Sequence, residues 1–229
     1  MKLQLGVIVL VLLILTSPLG AEETLVLKNQ KEKMSYIIGL DIGKNFKAKS
    51  IDIDPNILAR GIKDALSGSK SLLTEQEVRD VATAFQKEMM AKQQALGEKN
   101  KKEGEAFLAE NKKKKGVVAL ASGVQYKVMK AGTGKKPKST DTVTVHYRGT
   151  LIDGTEFDSS YGRGQPAVFP LNGVIKGWTE ALSLMQEGGK WQVFIPSSLA
   201  YGERGMGNQI GPNATLIFEV ELISIQEKK

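Results

Sequence analysis

The segment TVTVHYRGTLIDGTEFDSS, residues 142–160, decides the fold class of this chain. It opens with β-branched and aromatic residues, which predict a strand over residues 142–147. Asp153-Gly154 follows where the chain has to turn, because glycine readily adopts the positive φ that a tight hairpin loop requires. The segment therefore predicts a β-hairpin.

Short runs of the same kind surround this hairpin, and glycine-containing turns separate them. They predict further strands over residues 124–129, 167–169, 190–195 and 216–225. Between two of these runs, residues 174–185 carry apolar side chains at helical spacing. A helix in that position covers one face of an antiparallel sheet. We therefore expect residues 116–229 to form an α+β domain.

Ahead of this domain, the sequence predicts one long helix over residues 74–115. Its first residues, TEQE, have the spacing of a capping box, and no proline follows. Apolar residues become rare along the helix, which indicates that its first half packs and its second half is a solvated stalk. Glycine weakens a helix, so we expect a hinge near Gly97 or Gly104.

Residues 22–73 predict a small helical module. Apolar residues recur at helical spacing over residues 34–46, and a second helix begins at Asp54-Pro55 and ends at Gly68. Two short amphipathic helices cannot bury both of their apolar faces within one chain. We therefore expect a homodimer formed through the N-terminal helices.

Residues 1–21 predict a secretory signal peptide, with Lys2 followed by an unbroken apolar run over residues 7–15. The run is shorter than the roughly 20 apolar residues of a membrane-spanning helix, which favours cleavage near residue 21. Leu19 is larger than the residue preferred before such a site, so retention as a membrane anchor is the alternative. We expect an exported protein that is periplasmic, secreted or associated with the outer membrane.

Composition excludes several kinds of site. The chain has no cysteine, so disulfides, thiol nucleophiles and Cys-ligated zinc are excluded. His146 is the single histidine, and we interpret it as a strand residue with a structural partner rather than a catalytic base. The net charge is +7, and the basic cluster at the end of the long helix, residues 112–115, has no interleaved aromatic residues. We expect no metal, no cofactor and no nucleic-acid partner.

Motifs in the C-terminal half resemble the FKBP family of peptidyl-prolyl cis/trans isomerases. The likeness covers about residues 116–226, nearly a complete domain of that family, in which an antiparallel sheet wraps on a short helix. The matching motifs are VHYRGTL at 145–151, DGTEFDSS at 153–160, VIKGW at 174–178, IP at 195–196, AYG at 200–202 and NATLIFEVEL at 213–222. The domain order also resembles the macrophage infectivity potentiator type of bacterial FKBP, whose members form V-shaped homodimers.

The resemblance implies a pocket for an X-Pro segment with mainly aromatic walls. In it, Trp178 forms the floor, Asp158 lies beside the twisting bond, and the Ile175 amide and Tyr201 hydroxyl hold peptide carbonyl groups. The catalytic residues implied are Asp158, Tyr201 and Tyr147. The substrate-binding residues implied are Phe157, Arg163, Val174, Ile175, Trp178, Ile210 and Phe218. Arg163 and Tyr147 are the expected partners of Asp158, and the family pattern is broken at Ala167, Met206 and Gln209.

The implied activity is cis/trans isomerisation of X-Pro bonds in unfolded or exported polypeptides, accompanied by chaperone activity. Rotation about a peptide bond has a barrier of about 18–20 kcal/mol, and it needs no nucleophile. A site without a catalytic triad is therefore compatible with this chemistry. Two alternatives remain open at this point: a non-catalytic holding chaperone, and a surface adhesion or scaffold module.

Overall fold

The structure is a computed structural model, and it describes residues 26–226. The chain divides into two compact units, Met1–Asp52 and Ile53–Lys229. The predicted signal peptide lies outside the described residues. The helices and strands of the described part are α1 Gln30–Ala48, α2 Pro55–Ser67, α3 Glu75–Asn111, β1 Val117–Ala119, β2 Gln125–Lys130, β3 Thr142–Thr150, β4 Glu156–Ser159, β5 Ala167–Pro170, α4 Lys176–Leu184, β6 Lys190–Ile195 and β7 Leu216–Gln226.

Both ends of α2 and the start of α3 lie at the signals that the sequence provides, while α3 ends at Asn111, before the predicted residue 115. Asp54 caps α2 by accepting a hydrogen bond from the Asn56 amide at 2.8 Å, and Gly68 ends it with a φ of +67°. At the start of α3, Thr74 and Glu77 form the predicted capping box. Between residues 26 and 226, none of the helices has the length and apolarity needed to span a lipid bilayer.

The strands form one antiparallel sheet with the order β1-β2-β6-β7-β3-β4, and β5 also pairs with β3. Strand β3 is central, since it pairs with β7 along its whole length and with β4 and β5 over its two halves. The α+β prediction is confirmed. Two strands, β1 and β4, were not predicted because they are only three and four residues long.

Helix α4 lies against the sheet and supplies much of the core. Its inward residues Trp178, Ala181 and Leu182 are buried together with Leu171 and strand residues such as Leu222. Ile195 approaches this helix so closely that a Cβ on Gly177 would lie 2.4 Å from it. Glycine at this position therefore allows α4 to seat on β6.

The C-terminal half of α3 packs on the sheet domain, which corrects the expectation of a solvated stalk with a hinge. Its buried residues are Gly97, Gly104 and Asn111, which we call the α3 seam. They are seven residues apart and so share one helix face. A Cβ on Gly104 would lie 2.3 Å from Thr215 Oγ1, and the Asn111 amide donates to the Gln125 side chain at 3.0 Å. The seam has no apolar side chains, so hydrophobic periodicity could not reveal it.

Candidate active site

An aromatic cluster is built where β3, α4 and β7 meet. Trp178 on α4 is 4% exposed, and its ring lies edge-on to Tyr147 at 5.3 Å and to Phe218 at 5.1 Å between ring centroids. Phe157 meets Phe218 edge-to-face at 5.5 Å, and Phe169 meets Trp178 in the same way at 5.7 Å. Edge-to-face contacts are the favourable geometry for aromatic rings. The cluster therefore combines a Trp floor with aromatic walls.

The indole nitrogen of Trp178 is the polar exception within this floor. Nε1 is buried, and the residues that the structure describes offer it no hydrogen-bond acceptor. Buried indole N–H groups usually find a partner. The floor thus contains a donor that the protein itself leaves unused.

Asp158 lies at the edge of the cluster with two partners. The Arg163 guanidinium donates to Asp158 Oδ1 at 2.6 Å and to the Tyr147 hydroxyl at 2.7 Å, while that hydroxyl donates to Asp158 Oδ2. Pairing of β3 with β4 brings Asp158 close to Tyr147. A short helical turn, Tyr161–Arg163, then places the Arg163 side chain beside Asp158. Both partners expected for this carboxylate are therefore present.

These contacts shift the pKa of each group. Burial acts to raise the pKa of Asp158, but the hydrogen bonds from Tyr147 and Arg163, together with the charge of Arg163, outweigh it and lower that pKa below its usual value. Burial and the hydrogen bond to Asp158 raise the pKa of Tyr147. Burial, helped by the Asp158 charge, also raises the pKa of Tyr201. At neutral pH the site therefore holds one carboxylate, one guanidinium and two neutral phenols.

The remaining residues implied by the resemblance lie in or against the buried core that also contains Trp178 and Phe218. Ile210 is 4% exposed, and Val174, Ile175 and Tyr201 are partly buried against the core. Ile175 is the N-cap residue of α4, and no side chain caps that helix end. Eight of the ten residues thus lie in or against this core, and Asp158 and Arg163 are hydrogen-bonded to one of the eight, Tyr147, while their roles in a reaction stay a prediction.

Two further residues of the site were not among the predicted ones. Phe169 on β5 packs on both Trp178 and Tyr147. Gly149 on β3 has no side chain, and a Cβ there would lie 2.6 Å from the Phe157 ring and 2.8 Å from the Phe218 ring. Glycine inside a strand often marks a close approach of this kind, and this signal could have identified Gly149.

The three departures from the family pattern lie outside the Asp158 cluster. Ala167 is on β5, opposite Val145 of β3. Met206 and Gln209 are exposed in the loop after Tyr201, where the Met206 backbone pairs with Ile210. These substitutions therefore alter the rim of the site rather than its polar residues.

His146 has the structural partner that its interpretation requires. Its Nδ1 lies 3.0 Å from Ser160 Oγ, and its ring stacks on Tyr161 at 4.7 Å. The buried Ser160 hydroxyl also accepts a hydrogen bond from the Tyr147 amide at 2.8 Å. These contacts therefore hold the segment that follows Asp158 at the end of β4.

Comparison with known proteins gives consistent matches along the chain. The family model described as FKBP-type peptidyl-prolyl cis-trans isomerase matches residues 133–223, and the domain amino terminal to this isomerase matches residues 31–128. The chain is 50% identical to the outer membrane protein MIP of Legionella longbeachae over 99% of both chains. It is 48% identical to the peptidyl-prolyl cis-trans isomerase Mip of Coxiella burnetii, over 88% of this chain and 90% of that one.

A solved structure extends the agreement to the fold. The crystal structure of FkpA from Escherichia coli has a TM-score of 0.63 and 39% identity, covering 88% of this chain and 99% of that one. The matched isomerase region contains strands β3 to β6, most of β7, the α4 helix and the Asp158 cluster described above. The resemblance inferred from the motifs is confirmed, and the chain belongs to the family of FKBP-type peptidyl-prolyl cis-trans isomerases.

Proposed function

We propose that the aromatic cluster around Trp178 binds the prolyl ring of an X-Pro segment and catalyses rotation about the bond before it. The observation that carries this proposal is the combination of a buried Trp floor with a paired carboxylate at its edge. Aromatic walls suit a compact, apolar pyrrolidine ring, and few polar groups are needed to orient it. Phe157, Val174 and Phe218 are proposed to line this ring site.

The reaction follows from the physics of the amide bond. A planar amide has a larger dipole than the twisted form, which has lost its resonance. Transfer into an apolar pocket therefore favours the twisted transition state over the planar ground state, and that difference lowers the barrier. Hydrogen bonds from the Ile175 amide and the Tyr201 hydroxyl are proposed to hold the flanking carbonyl groups while the bond rotates.

Asp158 is proposed to act beside the twisting bond as a fixed negative charge. Arg163 and Tyr147 hold its two oxygens, so the carboxylate cannot turn freely. A pre-oriented charge stabilises a changing charge distribution without reorganising during the reaction. This role needs no proton transfer and no cofactor.

We test this proposal with a protease-coupled assay on a short X-Pro peptide, using the chain from residue 22 onward, with and without a macrolide FKBP inhibitor. We expect rapid cis-to-trans conversion that the inhibitor abolishes. A folded protein without activity would contradict the proposal. It would favour the alternative of a non-catalytic holding chaperone, in which Ala167, Met206 or Gln209 disables the site.

The N-terminal helices are proposed to form the dimer contact. In the first unit, Ile37 and Ile38 of α1 are 57% and 53% exposed to solvent. In the second unit, Ile57 of α2 is 70% exposed and Val81 of α3 is 60% exposed. Neither α1 nor α2 has a buried residue. Apolar faces of this extent rarely remain open to solvent in a monomer, so they favour a second copy of the chain as their partner.

The division of the chain and its location are part of the same proposal. We propose a cleaved signal over residues 1–21, a dimerisation module over 22–73, a connecting helix over 74–115 and the isomerase domain over 116–229. Exported, proline-containing polypeptides are the proposed substrates, in the periplasm or at the outer membrane. The name of the Legionella longbeachae relative, an outer membrane protein, supports export. A chaperone function at the same surface is proposed as an additional activity.

A further inference from the structure

The α3 helix contacts the loop that completes the aromatic site, residues 202–213. This loop begins directly after Tyr201, whose phenol senses the charge of Asp158, and it contains Ile210, which is buried in the same core as Trp178 and Phe218. Both the helix residues and the loop belong to the second compact unit. The contact therefore links helix α3, which is outside the sheet, to the loop beside Tyr201.

Two side-chain hydrogen bonds join the helix to this loop. Asn100 Nδ2 donates to the buried Pro212 carbonyl at 2.8 Å, and Asn213 Nδ2 donates to the Gly97 carbonyl at 3.3 Å. The Pro212 contact is the shorter one, and its donor lies on the helix itself. Asn100 therefore fixes the loop backbone from outside the sheet domain.

Close packing reinforces these hydrogen bonds. A Cβ on Gly211 would lie 3.1 Å from Asn100 Nδ2 and 3.2 Å from Leu96 Cδ2, which is tighter than an ordinary contact. The loop backbone therefore touches the helix directly. A change in the Asn100 side chain acts on the loop without an intervening residue.

Backbone hydrogen bonds connect this anchor to the site. The Asn213 amide donates to the Gly202 carbonyl at 2.8 Å, which ties the two ends of the loop together beside Tyr201. Within the loop, the Met206 amide donates to the Ile210 carbonyl at 2.8 Å and the Ile210 amide donates back at 3.1 Å. An anchor at Pro212 therefore restrains both Ile210 and the end of the loop next to Tyr201.

We propose that Asn100 is a positioning residue for substrate binding, which holds the 202–213 loop in the geometry that fits a peptide in the pocket. The inference rests on the proposed function, because Tyr201 and Ile210 matter only if the pocket binds the X-Pro segment. Asp158, Tyr147 and Arg163 have no contact with α3 among those described. Loss of the Asn100 anchor should therefore affect substrate binding more than the rotation step.

The test compares Asn100→Ala and Asn100→Asp with the parent chain from residue 22 onward, in the isomerisation assay over a range of peptide concentrations. Alanine removes the donor, and aspartate keeps its shape but sets a carboxylate against the Pro212 carbonyl. We expect KM to rise about three- to tenfold in both variants, the range for loss of one hydrogen bond, with kcat changed less than about twofold. A circular dichroism spectrum of each variant, compared with that of the parent chain, checks that the fold is retained.

The matched control is Phe107→Leu, which weakens another contact of α3. Phe107 packs on Phe194 of β6 with ring centroids 5.9 Å apart, away from the 202–213 loop. We expect it to lower the thermal unfolding midpoint while KM stays unchanged. An unchanged KM in both Asn100 variants, or an equal rise in Phe107→Leu, would overturn the inference while leaving the proposed function intact. An inactive parent chain would instead overturn the proposed function.

Discussion

At Asp158, burial and pairing act in opposite directions, and pairing prevails. Replacing the carboxylate by an amide keeps its size but removes the charge that the Arg163 guanidinium contacts. For Asp158→Asn we expect kcat/KM to fall about tenfold, the effect of one lost charge-assisted hydrogen bond, with the fold retained. The isomerisation assay and a circular dichroism spectrum measure both properties.

The control for this variant is Glu156→Gln on the same hairpin. It breaks the ion pair between Glu156 Oε2 and Arg148 Nε, which are 2.6 Å apart. Both side chains are exposed to solvent, and neither belongs to the predicted site. Exposed pairs of this kind contribute little to stability. Equal rates for Asp158→Asn and Glu156→Gln would remove Asp158 from the reaction.

The pKa shifts predict how activity depends on pH. The pKa of Asp158 in the folded protein lies below the ordinary value of 3.8. Its contribution to stability is therefore complete above pH 3.8, and it is lost as the pH falls through the lower pKa of the folded state. The raised pKa values of Tyr147 and Tyr201 keep both phenols neutral in alkaline solution. We expect a flat rate profile from about pH 5 to pH 9. A rate that titrates near neutrality would contradict this assignment of charges.

Gly149 predicts a steric effect at the pocket walls. In Gly149→Ala, the new methyl group would lie within 2.8 Å of two aromatic rings, so Phe157 and Phe218 must move. We expect a loss of about 1–3 kcal/mol in the free energy of unfolding, the usual range for overpacking, together with lower activity. Denaturant titration measures the first and the peptide assay the second.

Gly162→Ala provides the control for that substitution. No atom lies within 4 Å of a Cβ at Gly162, and its φ is not in the left-handed region. We expect stability and rate to stay near those of the parent chain. If Gly149→Ala behaved in the same way, the rings of Phe157 and Phe218 could not lie as close to residue 149 as the structure shows.

At the residue scale, the sequence predicted the polar site better than its packing. The motif around Asp158 pointed to all three residues of its hydrogen-bonded group, because they lie within one hairpin and the following turn. Phe169 was missed because an aromatic residue in a strand has no feature that distinguishes a pocket wall from ordinary core. Gly149 was missed because its function is to leave space.

At the scale of elements, the strands and α4 were predictable because their periodicity reflects burial on the sheet. The contacts of α3 were not, since its seam is made of two glycines and an asparagine. Glycine lowers helix propensity, and the sequence alone therefore suggests a hinge at each position. In the folded chain the same absence of a side chain allows close packing instead.

This contrast predicts the sign of a stability change in Gly104→Ala. Helix propensity alone would stabilise the variant by about 0.8–1.0 kcal/mol. The added Cβ would lie 2.3 Å from Thr215 Oγ1, however, so the helix or the strand end must shift. We expect net destabilisation of about 1–3 kcal/mol by denaturant titration. A more stable variant would indicate that α3 does not lie against Thr215.

Ala106→Gly separates packing from propensity on the same helix. Ala106 is exposed, two residues beyond the seam position, so glycine there acts through propensity alone. We expect it to destabilise the protein by about 1 kcal/mol. The two substitutions, opposite in direction, should therefore change stability with the same sign.

At the scale of the whole molecule, the exposed apolar faces predict the effect of truncation. Deletion of residues 22–68 removes α1 and α2 but leaves α3 and the sheet domain complete. We expect a monomer in analytical ultracentrifugation that still isomerises a short peptide, because no residue of the aromatic site is removed. A dimer of unchanged stability would place the interface elsewhere, and an inactive but folded monomer would contradict the separation of the two functions.

The seven-residue spacing of the α3 seam also determines how the helix tolerates insertions. One residue inserted between Gly97 and Gly104 would place the two positions about 80° apart around the helix, so only one could remain on the sheet domain. Seven inserted residues would restore the phase to within about 20°. Insertions ahead of residue 97 leave the seam intact and rotate whatever precedes it about the helix axis. The part of the chain ahead of residue 97 can therefore change in length and direction during evolution at little cost to the aromatic site. An insertion within the seam does not have this freedom.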